Sequence, residues 1–484
     1  MARKILFLIV LTLSFSLPVH ASARSLYSGL SGDDVRTLQE TLIEHGFLAG
    51  GYDTGYFGTL TEIAVRTFQC AHNIVCSGTT ANGYGVYGPR TQSELALATR
   101  YPKNPGTLAG TMTPVATGAF EFSGWVPYWR AATGTADTLE HISQLTTVMP
   151  FAFEVDTNGK LLDTDQFSEE PWVTFIASAK AAGVRVIPSI LWGDGEAMHR
   201  ILSDTDKRIA LEDEITALVY RLGFDGIDID FEAKKRETVN YFSTFLKGLY
   251  MRMGQKWVYC TVESRMPLED RYPDGNIPDD ATDYANDYIE MNKYCDRIEI
   301  MAYDQGVVSK RLNVARYAPY APVADTGWVE NLVRLAAQTI PRNKLIIGIP
   351  TYGYEYKVTP QNGSFRYERL WAFNPRYATE IAEKLGIIPS RTSAGELGFV
   401  YDPKLIEMFD EAEKTQVQQV TEANATAQNI GSLVSGNQPF NYVTWSDAQA
   451  IKDKVELARR LGVRGVAVFK FDGSMDPLMW DILK

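Results

Sequence analysis

Four acidic residues fall within the nine-residue stretch FDGIDIDFE, residues 224–232. Three of them, Asp228, Asp230 and Glu232, stand at alternate positions with isoleucine and phenylalanine between them. Because successive side chains of a β-strand point to opposite faces, this spacing predicts a strand with one acidic face and one apolar face. A solvated strand edge would not need so hydrophobic an opposite face, so the pattern favours acids that line an interior.

This acidic face has a chemical consequence. Carboxylates held together in a poorly solvated site repel one another, so at least one of the three must bind its proton more tightly than usual. A carboxylic acid that stays protonated near neutral pH can act as a general acid and protonate the oxygen of an ether-like C–O bond. The stretch therefore indicates acid–base chemistry on such a bond.

The remainder of the chain after Phe120 alternates strand-like apolar runs with helix-like amphipathic segments. Eight such units predict an α/β fold, a (β/α)8 TIM barrel over residues 120–484, whereas an open doubly wound sheet, the alternative, would not predict eight. The long gap before the last run predicts an inserted subdomain at about 356–440. The strand-like runs are residues 122–129, 146–155, 184–192, 224–232, 256–264, 297–304, 344–354 and 465–471.

A barrel of this kind would decide where the three acids point. The outer face of each strand packs against helices and must be apolar, whereas the inner face opens at the carboxyl end of the strand onto the active site. Asp228, Asp230 and Glu232 are therefore expected to line the interior, with Glu232 nearest the mouth.

Several motifs resemble one known family. The acidic stretch carries D-G-x-D-x-D-x-E, which is typical of family 18 glycoside hydrolases, a family that includes chitinases and endo-β-N-acetylglucosaminidases. MAYD at 301–304 is similar to the family's M-x-Y-D on the sixth strand, and GIPTYGY at 348–354 is similar to its G-x-P-x-Y-G on the seventh. Residues 442–469 resemble the closing helix and strand, and the insertion resembles the family's small α+β insertion.

The resemblance implies a retaining reaction in which the substrate's own 2-acetamido group takes the place of an enzyme nucleophile. Glu232 would protonate the glycosidic oxygen, Asp230 would hold the acetamido nitrogen, and Asp228 would share a proton with Asp230. Tyr303 would donate its hydroxyl to the acetamido oxygen, and neither a metal nor a cofactor is implied. The candidate substrate-binding residues are Asp225, Tyr128, Phe151, Met301, Asp304, Tyr352 and Phe469.

Two positions depart from the family's pattern. Phe469 stands where a tryptophan usually forms the floor of the site on the eighth strand, which offers less stacking area and room for a bulkier, lactyl-bearing sugar. Tyr354 stands where an arginine often follows the seventh-strand motif, so a polar sugar contact is lost or supplied elsewhere.

Residues 24–97 predict a separate, small all-α domain of three helices joined by glycine-rich turns. They resemble a peptidoglycan-binding domain, although a purely structural cap is the alternative. Residues 98–119, rich in proline, glycine, threonine and alanine, predict a flexible linker. The positions that carry the resemblance are Leu26, Gly29, Gly32, Val35, Leu38 and Gln39, then Gly55, Phe57, Gly58, Thr61, Ala64, Val65, Phe68 and Gln69, and finally Gly88, Thr91 and Leu95.

The amino terminus and the cysteines indicate export. Residues 1–23 place Arg3 and Lys4 before an apolar run and small residues after it, which predicts a secretory signal peptide. A membrane anchor is the alternative, but the run falls short of the ~20 apolar residues that a span needs. Four cysteines fit an oxidising compartment and predict the disulfides Cys70–Cys76 and Cys260–Cys295, with a structural metal site as the alternative.

Composition and charge narrow the function. A hydrophobic share of 45% over 484 residues predicts a globular protein, and a formal net charge of −12 argues against a nucleic-acid partner. Together with the predicted signal peptide, the two resemblances imply a monomeric glycosidase, secreted or held in the cell wall or periplasm and free of the membrane after signal removal, that cuts peptidoglycan after N-acetylglucosamine. A chitinase is the first alternative, and a non-catalytic glycan-binding lectin is the second, although silent relatives usually lose one of the acids.

Overall fold

A computed structural model describes two compact units, Met1–Thr113 and Pro114–Lys484. Within them the structure describes residues 24–48, 51–72, 74, 75, 78–80, 83–100, 119–164, 166–272, 274–309, 313, 319–361, 364–405 and 438–483. The predicted signal peptide and nearly all of the predicted linker lie outside these residues. No helix in the described part of the chain is both long and apolar enough to cross a membrane.

The amino-terminal unit is the predicted all-α domain. Its three helices enclose a small apolar core that includes Val35, Leu38, Val65 and Phe68. The last helix continues to Arg100, past the residue at which the linker is predicted to begin. The helices are α1 (Asp33–Glu44), α2 (Thr59–Ala71) and α3 (Pro89–Arg100).

This unit is built from an internal repeat, because VRTLQ at 35–39 recurs as VRTFQ at 65–69. The glutamine that ends each copy, Gln39 or Gln69, is buried. Its side-chain amide forms hydrogen bonds both to the following turn and to the next helix. Burying an amide is costly unless both its ends are hydrogen-bonded, and here both are. Gln39 accepts from Gly55 N and donates to Thr61 Oγ1, each at 2.8 Å, and Gln69 accepts from Gly85 N at 2.8 Å and donates to Thr91 Oγ1 at 3.0 Å.

The carboxy-terminal unit contains the predicted (β/α)8 barrel, because its eight parallel strands close on themselves where the first pairs with the second. One barrel strand is interrupted and counts as two segments, β4 and β5, and a short strand, β3, pairs antiparallel with β2. The strands are β1 (Glu121–Pro127), β2 (Thr147–Val155), β3 (Leu161–Asp163), β4 (Arg185–Val186), β5 (Ser189–Trp192), β6 (Gly226–Phe231), β7 (Trp257–Val262), β8 (Arg297–Ile300), β9 (Leu345–Pro350) and, after an insertion, β15 (Gly465–Phe469).

The insertion lies between β9 and β15, as predicted, and has α+β structure. Its five strands form an antiparallel sheet in the order β11-β10-β14-β13-β12, with one helix between β11 and β12. Residues 406–437, which belong to the predicted insertion, lie outside the described residues. The strands are β10 (Gly353–Gln361), β11 (Ser364–Phe373), β12 (Ser390–Arg391), β13 (Leu397–Tyr401) and β14 (Phe440–Trp445).

Helices cover the outer face of the barrel because the outward side chains of its strands are apolar. On β6, Ile227, Ile229 and Phe231 are almost fully buried, and the ring of Phe231 stacks on Phe245 of the helix that follows. The helices of this unit are α4 (Ala131–Glu140), α5 (Trp172–Ala181), α6 (Gly195–Leu202), α7 (Thr205–Leu222), α8 (Val239–Met253), α9 (Leu268–Arg271), α10 (Tyr288–Tyr294), α11 (Gln305–Val308), α12 (Thr326–Ala336), α13 (Pro375–Leu385) and α14 (Ala448–Leu461).

One of the two predicted disulfides is confirmed. Cys260 on β7 is bonded to Cys295, two residues before β8, with 6.0 Å between their Cα atoms. Cys70 is also disulfide-bonded, but its predicted partner Cys76 lies outside the described residues.

Candidate active site

The acidic face of β6 points into the barrel. Asp228 is fully buried and Asp230 is 4% exposed, whereas Glu232 follows the end of the strand and is half-buried. The alternating pattern holds because Ile229 and Phe231 pack outward in the core beneath the helices. The three acids therefore rise along the inner wall toward the mouth, in the order in which they occur in the sequence.

Asp228 is held by three donors, from the two strands that flank β6 and from β1. Its Oδ2 accepts from Ser189 Oγ at 2.6 Å and from Trp125 Nε1 at 3.3 Å, and its Oδ1 accepts from Thr261 Oγ1 at 2.9 Å. Burial raises the pKa of the Asp228 carboxyl, and these hydrogen bonds to its charged form partly oppose that rise.

The carboxyl group of Asp230 has fewer hydrogen-bond partners than that of Asp228. Its Oδ1 is buried and has no hydrogen-bond partner among the described residues. Burial raises the pKa of Asp230 well above its ordinary value, and the nearby charges of Glu232 and Asp228 raise it further. A buried carboxyl with a free oxygen is costly to maintain, which is common where that oxygen serves a ligand.

Glu232 is the outermost of the three acids. Burial raises the pKa of its carboxyl, and the negative charge of Glu263 on the adjoining loop raises it further, while the cation of Lys234 opposes both. Glu232 therefore keeps its proton to a higher pH than an exposed glutamate, which is the property that a general acid needs.

Glu263 organises the backbone that follows Glu232. Its Oε1 accepts from Ala233 N at 2.9 Å, where Ala233 adopts a left-handed conformation with φ of 54°. Its Oε2 accepts from Asn286 Nδ2 at 2.9 Å and lies 3.5 Å from Lys234 Nζ, whose side chain is 1% exposed. Burial would raise the pKa of Glu263, but the Lys234 cation and these hydrogen bonds outweigh burial and lower it. The loop is thus fixed by an ionised carboxylate.

Two tyrosines that follow β9 in the sequence contact Asp304, four residues after the end of β8. Asp304, left-handed with φ of 62°, accepts hydrogen bonds at Oδ1 from the hydroxyls of Tyr352 and Tyr354, the latter at 2.8 Å. At the position where the family pattern has an arginine, the Tyr354 hydroxyl thus binds Asp304. Burial raises the pKa of Tyr303, and the charge of Asp230 raises it further, so this phenol remains a hydrogen-bond donor.

Three aromatic rings contact Phe469 at the end of β15. The ring of Phe469 stacks on Tyr303 at 5.5 Å and contacts Trp125 at 5.9 Å and Tyr352 at 6.1 Å, measured between centroids. Met301, between β8 and Tyr303, is half-buried and packs against the core.

A second aromatic group lies after β1. Tyr128 and the buried Phe151 each meet the ring of Trp129 edge-on, at 5.0 and 5.8 Å. Trp129 itself is 48% exposed. This tryptophan offers an open apolar face after β1, in keeping with the prediction from the sequence that aromatic residues near the strand ends could stack on sugar rings.

The prediction that Asp225 binds substrate is wrong. Asp225 precedes β6, and its Oδ2 accepts from Val186 N at 2.8 Å at the amino end of the sheet. At ~3.3 Å per residue, the seven positions from Asp225 to Glu232 place it roughly 23 Å from the mouth. Its carboxylate serves to join two strands.

The amino end of the barrel interior holds a different acid, Glu121 of β1. Its carboxylate is bound by Arg297 at 2.8 and 2.9 Å, by Arg464 at 2.9 Å and by Arg185 at 3.1 Å. Burial alone would raise the pKa of Glu121, but the three guanidinium groups outweigh burial and lower the pKa to about 2.

Several partners of the acids were not predicted. Trp125, Thr261, Lys234 and Glu263 all contact or influence the three acids of β6, yet none belongs to a motif. Thr261 lies at an inward-facing position of β7, the strand next to β6. This position could have predicted its contact with Asp228, but only once the order of the strands is known. No group of histidine, cysteine and acidic residues in the described part of the chain is arranged to hold a metal ion.

Comparison with known proteins agrees with this geometry. The family model described as glycosyl hydrolases family 18 matches residues 124–474. The chain belongs to glycosyl hydrolase family 18. A model for a peptidoglycan binding domain matches residues 31–95, within the amino-terminal unit.

Three individual proteins illustrate what this chain is similar to. The uncharacterized glycosylase YvbX of Bacillus subtilis is 28% identical over 37% of this chain and 47% of its own length, so the match spans about half of that relative. The structure of the spore cortex-lytic enzyme SleL of Bacillus cereus aligns with 87% of this chain and 83% of its own, at 16% identity and a TM-score of 0.56. A chitinase of Chromobacterium violaceum aligns with 75% of this chain and 98% of its own, at 16% identity and a TM-score of 0.55. The two structures share the fold.

Proposed function

We propose that the protein is an exported glycoside hydrolase that cleaves β-1,4 bonds after N-acetylglucosamine in peptidoglycan, with retention of configuration. One observation carries the proposal, namely the buried carboxyl of Asp230, whose Oδ1 has no partner in the described structure and which follows Asp228 and precedes Glu232 on the inner wall. The phenol of Tyr303, kept protonated close to Asp230, completes a site suited to an amide-bearing sugar.

In the first step Glu232 donates its proton to the glycosidic oxygen. The bond between that oxygen and the anomeric carbon breaks, and the leaving sugar keeps the proton as a new hydroxyl. The oxygen of the substrate's own 2-acetamido group bonds to the anomeric carbon and gives an oxazolinium ion. The raised pKa of Glu232 supports this role because the acid keeps its proton to a higher pH than an exposed glutamate does.

Asp230 and Tyr303 orient the acetamido group for this attack. The amide N–H donates to the free Oδ1 of Asp230, and the carboxylate balances the positive charge of the oxazolinium ion. The Tyr303 hydroxyl donates to the acetamido oxygen. Orientation of this kind can lower the activation free energy substantially, because the reacting atoms are already held in position for attack.

In the second step water adds to the anomeric carbon from the face that the leaving group vacated. Glu232, now a carboxylate, takes a proton from that water, and the ring of the oxazolinium ion opens to restore the acetamido group. Two inversions at one carbon give net retention, and Glu232 regains its starting protonation state.

The remaining candidates bind the sugar rings rather than the reacting atoms. Phe469, stacked on Tyr303, forms the floor, and Tyr128 and Phe151 form the side wall nearest β1. The other proposed substrate contacts are Met301, Asp304 and Tyr352.

Peptidoglycan is the preferred polymer in this proposal because residues 31–95 match a peptidoglycan binding domain and one structural relative is named a spore cortex-lytic enzyme. Chitin is the second candidate. It is favoured by the alignment of the barrel with nearly the whole of a chitinase, and its sugars carry the same acetamido group. The Cys260–Cys295 disulfide supports an exported protein, secreted or held in the wall or periplasm, and we propose that it acts as a monomer.

The test compares two substrates and two matched variants. Purified protein is incubated with cell-wall sacculi and with chitin oligosaccharides, and new reducing ends are counted. We expect faster release from sacculi, loss of both activities in Glu232→Gln, and full activity in Glu380→Gln, an exposed glutamate on α13. A strong preference for chitin would replace peptidoglycan as the substrate. Tight sugar binding without turnover would indicate a lectin and overturn the proposal.

A further inference from the structure

The hydroxyl of Thr261 lies between two carboxyl groups inside the barrel. Its Oγ1 is 2.9 Å from Asp228 Oδ1 and 3.4 Å from Glu299 Oε2. A threonine hydroxyl carries one proton and can donate it to one acceptor, while its oxygen can accept from another donor. If both carboxyls were ionised, one of them would face the Thr261 oxygen lone pairs, which is repulsive. One of the two carboxyls must therefore carry a proton of its own.

The surroundings of Glu299 identify it as the protonated member. Glu299 is fully buried on β8, and its Oε1 has no hydrogen-bond partner among the described residues. An ionised carboxylate with so few donors is far more costly to bury than a neutral acid. Asp228, by contrast, accepts from Ser189 and Trp125 as well as from Thr261, so its charged form is the better supported of the two.

Among the described residues, the charges that act most strongly on Glu299 are acidic and disfavour its ionised form. The groups that face it are acidic or neutral, namely Asp228 and Asp230 on β6 and Glu121 on β1. The three arginines at the amino end of the interior are bound to Glu121. Burial and the nearby acids raise the pKa of Glu299 well above its ordinary value, and Thr261 opposes this only weakly at 3.4 Å.

We propose that Glu299 is a positioning residue whose carboxyl proton is donated to Thr261 Oγ1, so that the Thr261 hydroxyl is turned toward Asp228 and Asp228 is held as the acceptor of three hydrogen bonds. This inference rests on the proposed function. With Asp228 fixed as an acceptor, the proton used in cleavage stays on Glu232, next to the glycosidic bond. Glu299 contributes to catalysis through Thr261 and Asp228 without touching substrate.

Substitutions at Glu299 test whether its role is to donate a hydrogen bond or to carry a negative charge. Glutamine is close in size to the protonated acid and keeps a donor, so Glu299→Gln is expected to retain kcat within about threefold and to keep the pH profile of kcat/KM. Leucine cannot donate, so Glu299→Leu is expected to lower kcat about tenfold, the size expected for one weakened hydrogen bond to a charged group, with KM little changed. An equal loss in both variants would overturn the proposal.

A double-mutant cycle tests the route through Thr261. Thr261→Val, which keeps the shape and removes the hydroxyl, should lower kcat about as much as Glu299→Leu, and Thr261→Ser should restore it. The double variant should be no worse than either single variant, because both remove one hydrogen-bond chain. Additive losses would show that the two residues act separately and would contradict the inference.

Infrared spectroscopy locates the proton without using activity. Wild-type protein at pH 7 should show the carbonyl stretch of a protonated carboxylic acid that Glu299→Gln lacks, so this band should appear in the wild-type-minus-variant difference spectrum. If the difference spectrum lacks that band, the inference fails even when the enzyme degrades sacculi. If the band is present and sacculi and chitin are both left intact, the proposed function fails while the protonation of Glu299 stands.

Discussion

The two ends of the barrel interior treat buried acids in opposite ways. At the amino end, Glu121 is surrounded by the guanidinium groups of Arg185, Arg297 and Arg464, which lower its pKa to about 2. At the carboxyl end, burial raises the pKa values of Asp228, Asp230, Glu232 and Glu299, nearby acidic groups raise those of the last three further, and the described structure places no arginine against them.

The comparison teaches that burial alone does not decide what a carboxyl group does. Glu121 and Glu299 are both nearly inaccessible to solvent in the same barrel, yet one is ionised and the other is expected to be neutral. The arginines around Glu121 make its carboxylate the centre of a set of ion pairs that joins barrel strands. Glu299 has no such cations beside it in the described structure, so its carboxyl group keeps a proton.

The strongest contrast concerns the acid at the mouth. Glu232→Gln removes the proposed proton donor without changing size, so we expect kcat to fall by about 10²–10⁴-fold. Its melting temperature should match that of wild type, because Glu232 has no structural partner comparable to the arginines of Glu121. Steady-state kinetics and thermal unfolding measure the two effects, and retention of more than a tenth of the activity would contradict the assignment.

The converse substitution at the amino end should affect stability instead. Glu121→Gln leaves three mostly buried guanidinium groups without their anion, so we expect the free energy of unfolding to fall by about 3–5 kcal/mol. Activity per folded molecule should stay close to that of wild type, because the site is at the other end of the barrel. Denaturant unfolding read beside activity checks this, and a large loss of kcat with unchanged stability would break the comparison.

The two ends should also differ in how pH affects stability. The folded-state pKa of Asp230 is raised above 3.8, so its contribution is fully present below that value and is lost as pH rises through the folded pKa. The pKa of Glu121 is lowered from 4.5 to about 2, so its contribution to stability is present above pH 4.5 and is lost as pH falls toward 2.

Asp230→Asn should therefore flatten the loss of stability on the alkaline side, by up to about 1.4 kcal/mol for each unit that the folded pKa is raised. Melting temperatures of wild type and variant measured from pH 4 to pH 8 test this. Parallel curves would indicate that Asp230 titrates normally.

The smallest expected effect lies at the loop that carries Glu263. After burial, Glu263 is the largest influence that raises the pKa of Glu232, so Glu263→Gln should lower that pKa. We expect the alkaline limb of the pH profile of kcat/KM to move to lower pH by less than about one unit. Glu269→Gln, an exposed glutamate on α9, is the control and should leave the profile unchanged. A shift to higher pH would contradict the charge arrangement.

The carboxyl end of the barrel was more predictable than the amino end. The alternation in FDGIDIDFE places Asp228, Asp230 and Glu232 on one face, and eight strand-like runs are enough to make that face an interior. Asp225 is out of phase with the three and precedes the strand, so its placement in the site was an error that the alternation itself could have prevented.

The partners of the acids could not be predicted because they come from strands far apart in the chain. Glu121 meets arginines from three other barrel strands or their ends, and Thr261 meets Asp228 only through the register of β6 and β7. That register is set by packing and hydrogen bonding of the whole sheet. A lone glutamate within an apolar strand, such as Glu299 in RIEIM, was the available signal.

The most direct test of the account identifies the sugar at the new reducing end. Sacculi digested by the wild-type protein are reduced with borohydride, and the fragments are analysed by mass spectrometry. The proposed mechanism requires the acetamido group of the sugar whose glycosidic bond is cleaved, and that sugar is N-acetylglucosamine. We therefore expect the fragments to end in reduced N-acetylglucosamine. Fragments that end instead in reduced N-acetylmuramic acid would contradict the account.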